Sequence, residues 1–114
     1  YQLVVGATPT LDKLTYRSFS RTAPKSGEVE IEVHATGLNF SDVLKAMGLY
    51  PGLKPGPVPI GIECSGRISQ VGEGVTEFKV GDEVLGVAPF SFGSHAVTRV
   101  DGIVPKPKAL THEE

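Results

Sequence analysis

The sequence predicts one mostly-β domain, a small barrel with short helices, and three observations carry that expectation. Fourteen Gly and nine Pro are spread between short β-branched runs and do not pool into a low-complexity tract. The strand candidates are short and closely spaced, with turn residues between them, as a small barrel requires. At 114 residues the chain can build a single apolar core, but it is short for an enzyme that must also hold a dinucleotide.

Residues 3–5 and 14–19 are the first strand candidates; the turn-rich residues 6–13 between them make an opening hairpin the natural expectation. In residues 28–33, Glu28, Glu30 and Glu32 alternate with Val29, Ile31 and Val33, the period of a strand with one wet and one buried face. The period changes at residues 41–47. Val43, Leu44 and Met47 fall at helical spacing behind Asn39 or Ser41, either of which can cap an N-terminus, and Gly48 ends the helix. Residues 50–59 hold four Pro and two Gly, which exclude a helix or a central strand and predict a loop. A long loop in a compact domain is more often functional than not. Residues 62–71, 82–87 and 95–100 read as further strands, with turns at 72–74, 81–82 and 101–102. Pro105, Lys106 and Pro107 mark an extended exit. Residues 110–114 read as a helix start, with Thr111 and Glu114 at capping-box spacing, so another domain is expected to follow Glu114.

Composition excludes several classes of function. Eleven basic and thirteen acidic residues give a net charge of −2 with no basic stripe, so nucleic acid is not an expected partner. Cys64 is the only cysteine; it permits no intrachain disulfide and no cysteine-based zinc cluster, and it favours a cytoplasmic setting. No apolar run approaches the roughly 20 residues that span a bilayer, so no membrane association is expected.

Four stretches in order carry a family resemblance: Gly37-Leu38-Asn39-Phe40-Ser41-Asp42-Val43, Gly48-Leu49-Tyr50-Pro51-Gly52, Gly61-Ile62-Glu63-Cys64-Ser65-Gly66, and Val71-Gly72-Glu73-Gly74-Val75 leading to Val80-Gly81-Asp82-Glu83-Val84. Together they resemble the GroES-like catalytic domain of the medium-chain dehydrogenase/reductase superfamily. The branch is that of quinone oxidoreductases and the enoyl reductase domains of modular polyketide synthases. The resemblance covers nearly the whole chain and thins before Gly27. It implies a GroES-like small β-barrel over residues 1–114, the substrate-side domain of an enoyl reductase, with a Rossmann domain expected after residue 114. It further implies NADPH as cofactor, and as substrate an α,β-unsaturated acyl thioester carried on an acyl carrier protein in polyketide or fatty-acid synthesis. The isolated domain is then expected to be inactive. Gly72-Glu73-Gly74 lies between strands with no helix after it, so it is not a dinucleotide fingerprint. Zinc-dependent relatives carry Cys at the position of Asn39 and His at that of Ile62, and they have a cysteine-rich lobe absent here; no metal is expected. Two other functions stay open: a free-standing quinone or enoyl-CoA reductase, and a GroES-like binding module without catalysis.

By the same resemblance, Asn39, Phe40 and Ser41 meet the cofactor, and Asn39, Asp42 and Tyr50 are the catalytic candidates. Asn39 can donate through its amide, and Asp42 can orient a hydroxyl or fix the loop; equally, both can simply cap the helix. The Tyr50 phenol can donate a hydrogen bond or a proton to a developing enolate, or its ring can pin the loop to the barrel. Phe90 and Phe92 either line an acyl channel or fill a barrel end. Glu63 is expected to hydrogen-bond at a turn or strand end, Cys64 to be a small buried side chain, and His95 to pack or face solvent. Lys45 and Arg67 either meet phosphates or belong to a solvated face.

Overall fold

The computed structural model describes residues 1–114. Strands β1 (Gln2–Val4) and β2 (Thr15–Arg17) form the expected antiparallel hairpin, with Leu3 opposite Tyr16; β1 lies one residue earlier than the sequence suggests and β2 is shorter. The remaining strands are β3 (Glu28–Thr36), β4 (Glu63–Val71), β5 (Glu83–Val87), β6 (His95–Arg99) and β7 (Ile103–Pro105). They make one antiparallel sheet in the order β6-β3-β4-β5-β7. In a flat sheet β6 and β5 would stand about 14 Å apart, three strand spacings. Instead Thr98 on β6 donates its hydroxyl to the Val87 carbonyl of β5 at 2.7 Å. The sheet is therefore curled on itself, as a small barrel demands.

Strand β7 is not expected from the sequence; it overlaps the extended exit at Pro105 alone and adds Ile103 and Val104 before it. Its Pro105 is tolerated because β7 is an edge strand, where a missing N–H costs no ladder bond on the open side. Residues 110–114 form turns and no helix. The capping-box contact is nonetheless made, since Glu114 Oε1 accepts from the Thr111 N–H at 3.4 Å and from its hydroxyl at 3.2 Å. No helix is long and apolar enough to cross a membrane.

The core is the inner face of the curled sheet: Val29, Ile31, Cys64, Ile68, Val84, Ala88, Ala96 and Ile103 bury against one another. Val29 and Ile31 follow the alternation read from β3. The opposite face of β3 departs from it, because Glu30 is 1% exposed. The register shifts between Glu30 and Ile31, leaving Ser69 as an extra residue on β4. Ser69 and Gln70 both donate to Glu30 there, and Arg21, from the segment entering β3, covers it with two guanidinium hydrogen bonds. A buried carboxylate survives only with partners of this kind.

The one α-helix, α1 (Phe40–Ala46), starts one residue earlier than expected, with Asn39 in the extended conformation at its N-cap. Its end is a Schellman turn. Gly48, at φ +70°, donates to the Lys45 carbonyl at 3.1 Å, and Leu49 donates to the Leu44 carbonyl at 2.8 Å. The buried residues of α1 are Asp42, Lys45 and Ala46, while Met47 is exposed. Two charged side chains thus occupy the inward face that apolar spacing had assigned to Val43, Leu44 and Met47.

Candidate functional site

The candidate site is built on α1 and the Pro-rich loop that follows it. Asp42 is 2% exposed, and its two carboxylate oxygens are both engaged by backbone. Oδ2 accepts from the Asn39 N–H at 3.0 Å, closing one half of a capping box, and Oδ1 accepts from the Gly61 N–H at 2.9 Å. One carboxylate therefore ties the start of the helix to the far end of the loop. Gly61 adopts φ +102°, and its backbone lies so close to the Ser91 side chain that a Cβ would collide with it. The loop end is fixed between α1 and the segment before β6.

Lys45, one turn further along α1, is 8% exposed. Its Nζ donates to the Pro59 carbonyl at 3.1 Å and stands 5.1 Å from the centroid of the Tyr50 ring. Tyr50 itself is 38% exposed, at the entrance of the loop. The sequence reading gave Lys45 either phosphate contact or a solvated face. Neither describes it: the ammonium lies inside, under the loop. Its signal in the sequence was its position three residues after Asp42, which puts both charges on one side of a short helix.

Two buried polar atoms in this region have no hydrogen-bond partner, Asn39 Nδ2 and Ser41 Oγ. A buried polar group left unpaired costs about 1–3 kcal/mol, so the start of α1 carries two polar atoms that the fold itself does not satisfy. Leu38 and Phe40, on either side of Asn39, are exposed, Phe40 by 75%; Met47 and Leu49, past the other end of α1, are exposed too.

Other candidates fall elsewhere. Phe90, at φ +59°, lines a cavity of about 320 Å³ with Val4, Val5, Phe19 and Val58; neither Tyr50 nor Asn39 touches that cavity. The Phe92 backbone pairs with Leu3 and Ile60, bracing the hairpin against the loop end. Glu63 makes no side-chain hydrogen bond, contrary to expectation, and its carboxylate lies against Gly37. Cys64 is buried, and burial pushes its thiol up to about 11. His95 is partly buried, its Nδ1 3.0 Å from Ser94 Oγ. Arg67 is half-exposed and 3.9 Å from Glu83.

A second cavity, of about 380 Å³, lies between β4, β5 and the exit segment, walled by Glu63, Ser65, Lys106 and His112. It touches none of Asn39, Asp42 and Tyr50. His34 and His112, far apart in sequence, meet beside it with ring centroids 4.6 Å apart. His112 Nδ1 is 3.0 Å from Ser65 Oγ and Nε2 is 3.3 Å from Glu83 Oε1. The His112 hydrogen bond, with Lys106 and Arg67 nearby, holds the Glu83 carboxyl below the usual range. Serine, histidine and glutamate here are no nucleophilic relay, because the Ser65 hydroxyl donates to the His112 carbonyl at 2.8 Å. No group of three His, Cys, Asp or Glu side chains is arranged to hold a metal ion.

A curled antiparallel sheet with a single short helix is the arrangement of a GroES-like domain. The chain belongs to the alcohol dehydrogenase GroES-like domain family, whose model matches residues 25–105. It is 44% identical over 104 residues to a phenolphthiocerol/phthiocerol polyketide synthase of Mycobacterium tuberculosis, covering 91% of this chain and 5% of that one. Among solved structures it is similar to the CurK enoyl reductase, with a TM-score of 0.90 and 38% identity, over 98% of this chain and 36% of that one. It is also similar to the Escherichia coli quinone oxidoreductase complexed with NADPH, with a TM-score of 0.87 and 29% identity, over 98% and 35%. The chain thus spans about a third of these solved reductases and a twentieth of the curated synthase.

Proposed function

We propose that this domain is the substrate-side part of a zinc-free, NADPH-dependent enoyl reductase that acts on an α,β-unsaturated acyl thioester carried by an acyl carrier protein. A dinucleotide-binding Rossmann domain of the same protein would close over it. The observation that carries this reading is the pair of unpartnered buried atoms, Asn39 Nδ2 and Ser41 Oγ, at the start of α1, flanked by the exposed Leu38 and Phe40. These residues fit a nicotinamide nucleotide: an amide N–H and a hydroxyl suit ribose or carboxamide oxygens, and Phe40 offers an apolar face.

When bound, the nucleotide supplies the hydride that the β-carbon of the substrate takes up. This chain's own residues have the rest of the work. As the β-carbon gains hydride, negative charge develops on the thioester oxygen, and the α-carbon then needs a proton. Asn39 Nδ2 is a donor with no internal partner to give up, so pairing it with ligand costs no existing bond. Tyr50 is the proposed donor to the enolate oxygen or α-carbon; it stands at the loop entrance with its ring braced and its side chain partly open to solvent. Asp42 holds the geometry: with both oxygens on backbone N–H groups, it fixes the loop and is not free to take a proton from substrate.

The test is Tyr50→Phe in the full-length protein, assayed with NADPH and a crotonyl thioester in D2O, so that the α-carbon records the face of proton delivery. Turnover is expected to fall by about 10²-fold with altered labelling. Unchanged turnover and unchanged labelling would remove Tyr50 from the chemistry. The likeness to a quinone oxidoreductase favours a second reading, quinone reduction; a quinone turned over while the thioester is not would establish it.

A further inference from the structure

We propose that Lys45 is a positioning residue, whose buried ammonium, braced on the Pro59 carbonyl, sets the direction in which the Tyr50 hydroxyl points. The inference rests on Tyr50 being the donor to substrate. A buried ammonium needs compensation, ordinarily from a carboxylate. Lys45 has none: Asp42, the nearest acid on its helix, gives both oxygens to backbone, and none of the ion pairs in the fold includes Lys45. What it has instead are a carbonyl at 3.1 Å and an aromatic face at 5.1 Å.

Those two partners lie at opposite ends of the loop. The Pro59 carbonyl joins no strand, and Tyr50 follows the Schellman turn that ends α1. A single ammonium therefore draws both ends of the ten-residue segment from Tyr50 to Pro59 to one point. The consequence for Tyr50 is geometric. The phenol oxygen lies on the axis about which the ring spins, so spinning the ring does not move it. Its direction is set by the first side-chain torsion, which also sets where the ring centroid lies. A cation that attracts the ring face fixes the centroid, and with it the hydroxyl. An exposed loop tyrosine without such a cation would sample several rotamers and deliver a proton from more than one side.

The experiment compares Lys45→Met, Lys45→Gln and Lys45→Arg with Tyr50→Phe in the full-length protein, using the D2O assay with a thioester substrate. Met keeps the stem but neither donor nor charge; Gln keeps a donor for Pro59 without charge; Arg keeps both. The expected result is that Met and Gln each lower kcat about tenfold, leave KM within about twofold and mix the labelling at the α-carbon, while Arg restores both kcat and labelling. A Gln variant with wild-type kcat and labelling would overturn the inference, since the Pro59 bond alone would then suffice. If the Met variant does not fold, the Gln and Arg pair decides. Where Tyr50→Phe changes turnover and Lys45→Gln does not, Lys45 alone is wrongly assigned. Where Tyr50→Phe changes nothing, the role of Tyr50 falls and that of Lys45 with it.

Discussion

Replacing Glu30 by Gln tests the least expected feature of the fold, a carboxylate buried on the face of β3 that alternation assigns to water. Four donors reach it: Arg21 Nε at 3.0 Å on Oε2, and Arg21 Nη2, Ser69 Oγ at 2.7 Å and Gln70 Nε2 at 3.2 Å on Oε1. A glutamine has the same shape. Because three donors converge on Oε1, its amide oxygen stays there and its NH2 replaces Oε2, facing the Arg21 Nε–H donor to donor. The variant loses one charge-assisted bond and weakens the others. Bonds to charged groups are worth about 1.5–3 kcal/mol, and water relieves part of the loss because Arg21 is 45% exposed, so a net cost of about 2 kcal/mol is expected. At about 2.1 cal/mol/K per residue, that lowers Tm by on the order of 8 °C, measurable by thermal or urea denaturation of wild type and variant. The pH dependence follows from sign. The Arg21 hydrogen bond above all, helped by Ser69, holds the Glu30 carboxyl below its ordinary 4.5 against the opposing effect of burial. Its contribution is therefore complete above about pH 4.5 and lost as pH falls through the folded value, so the two proteins should converge in acid. A gap below about 0.5 kcal/mol at neutral pH, or one that stays constant well below pH 4.5, would refute the assignment.

Two further outcomes can be measured on the same chain. Cys64 is 5% exposed with its thiol pushed up to about 11, so a thiol reagent at pH 8 should label the native protein at least about 100-fold more slowly than the urea-unfolded chain; equal rates would place the thiol at the surface. Asp42→Asn leaves one acceptor for two backbone donors, so it should cost about 1–2 kcal/mol and speed hydrogen exchange at the Gly61 amide. An unchanged Gly61 rate would mean that Asp42 does not hold the loop.

The strands that the sequence made legible are those whose cause is local. β3 follows from alternation and β4 to β6 from short runs set between turn residues, and α1 ends at Gly48 because a Schellman turn needs a left-handed residue there. What escaped was set by partners distant in the chain. β7 is three residues long and ends in proline; it becomes a strand only because β5 offers an edge to pair with. Glu30 is buried because a bulge at Ser69 and a guanidinium from Arg21 converge on it, and neither leaves a trace in the pattern of residues 28–33. The pairing of His34 with His112 likewise depends on where the exit segment lies.

The same division runs through the candidate site. Asn39 and Asp42 were legible as a helix cap, and the cap exists on the Asp42 side; the buried Asn39 amide and Ser41 hydroxyl without partners could be found only in three dimensions. Lys45 shows why. Asp42 and Lys45 stand three residues apart on a seven-residue helix, a spacing that ordinarily means a wet face. The loop that follows reverses this. Prolines lack the N–H that would let its backbone join a sheet, so the Pro59 carbonyl and the Gly61 N–H must find partners off the ladder. The nearest groups able to donate to one and accept from the other are an ammonium and a carboxylate on α1, and both turn inward to do so. A helix carrying opposite charges three residues apart, followed at once by a proline-rich loop, is thus a readable sign that the charges belong to the loop and not to the solvent.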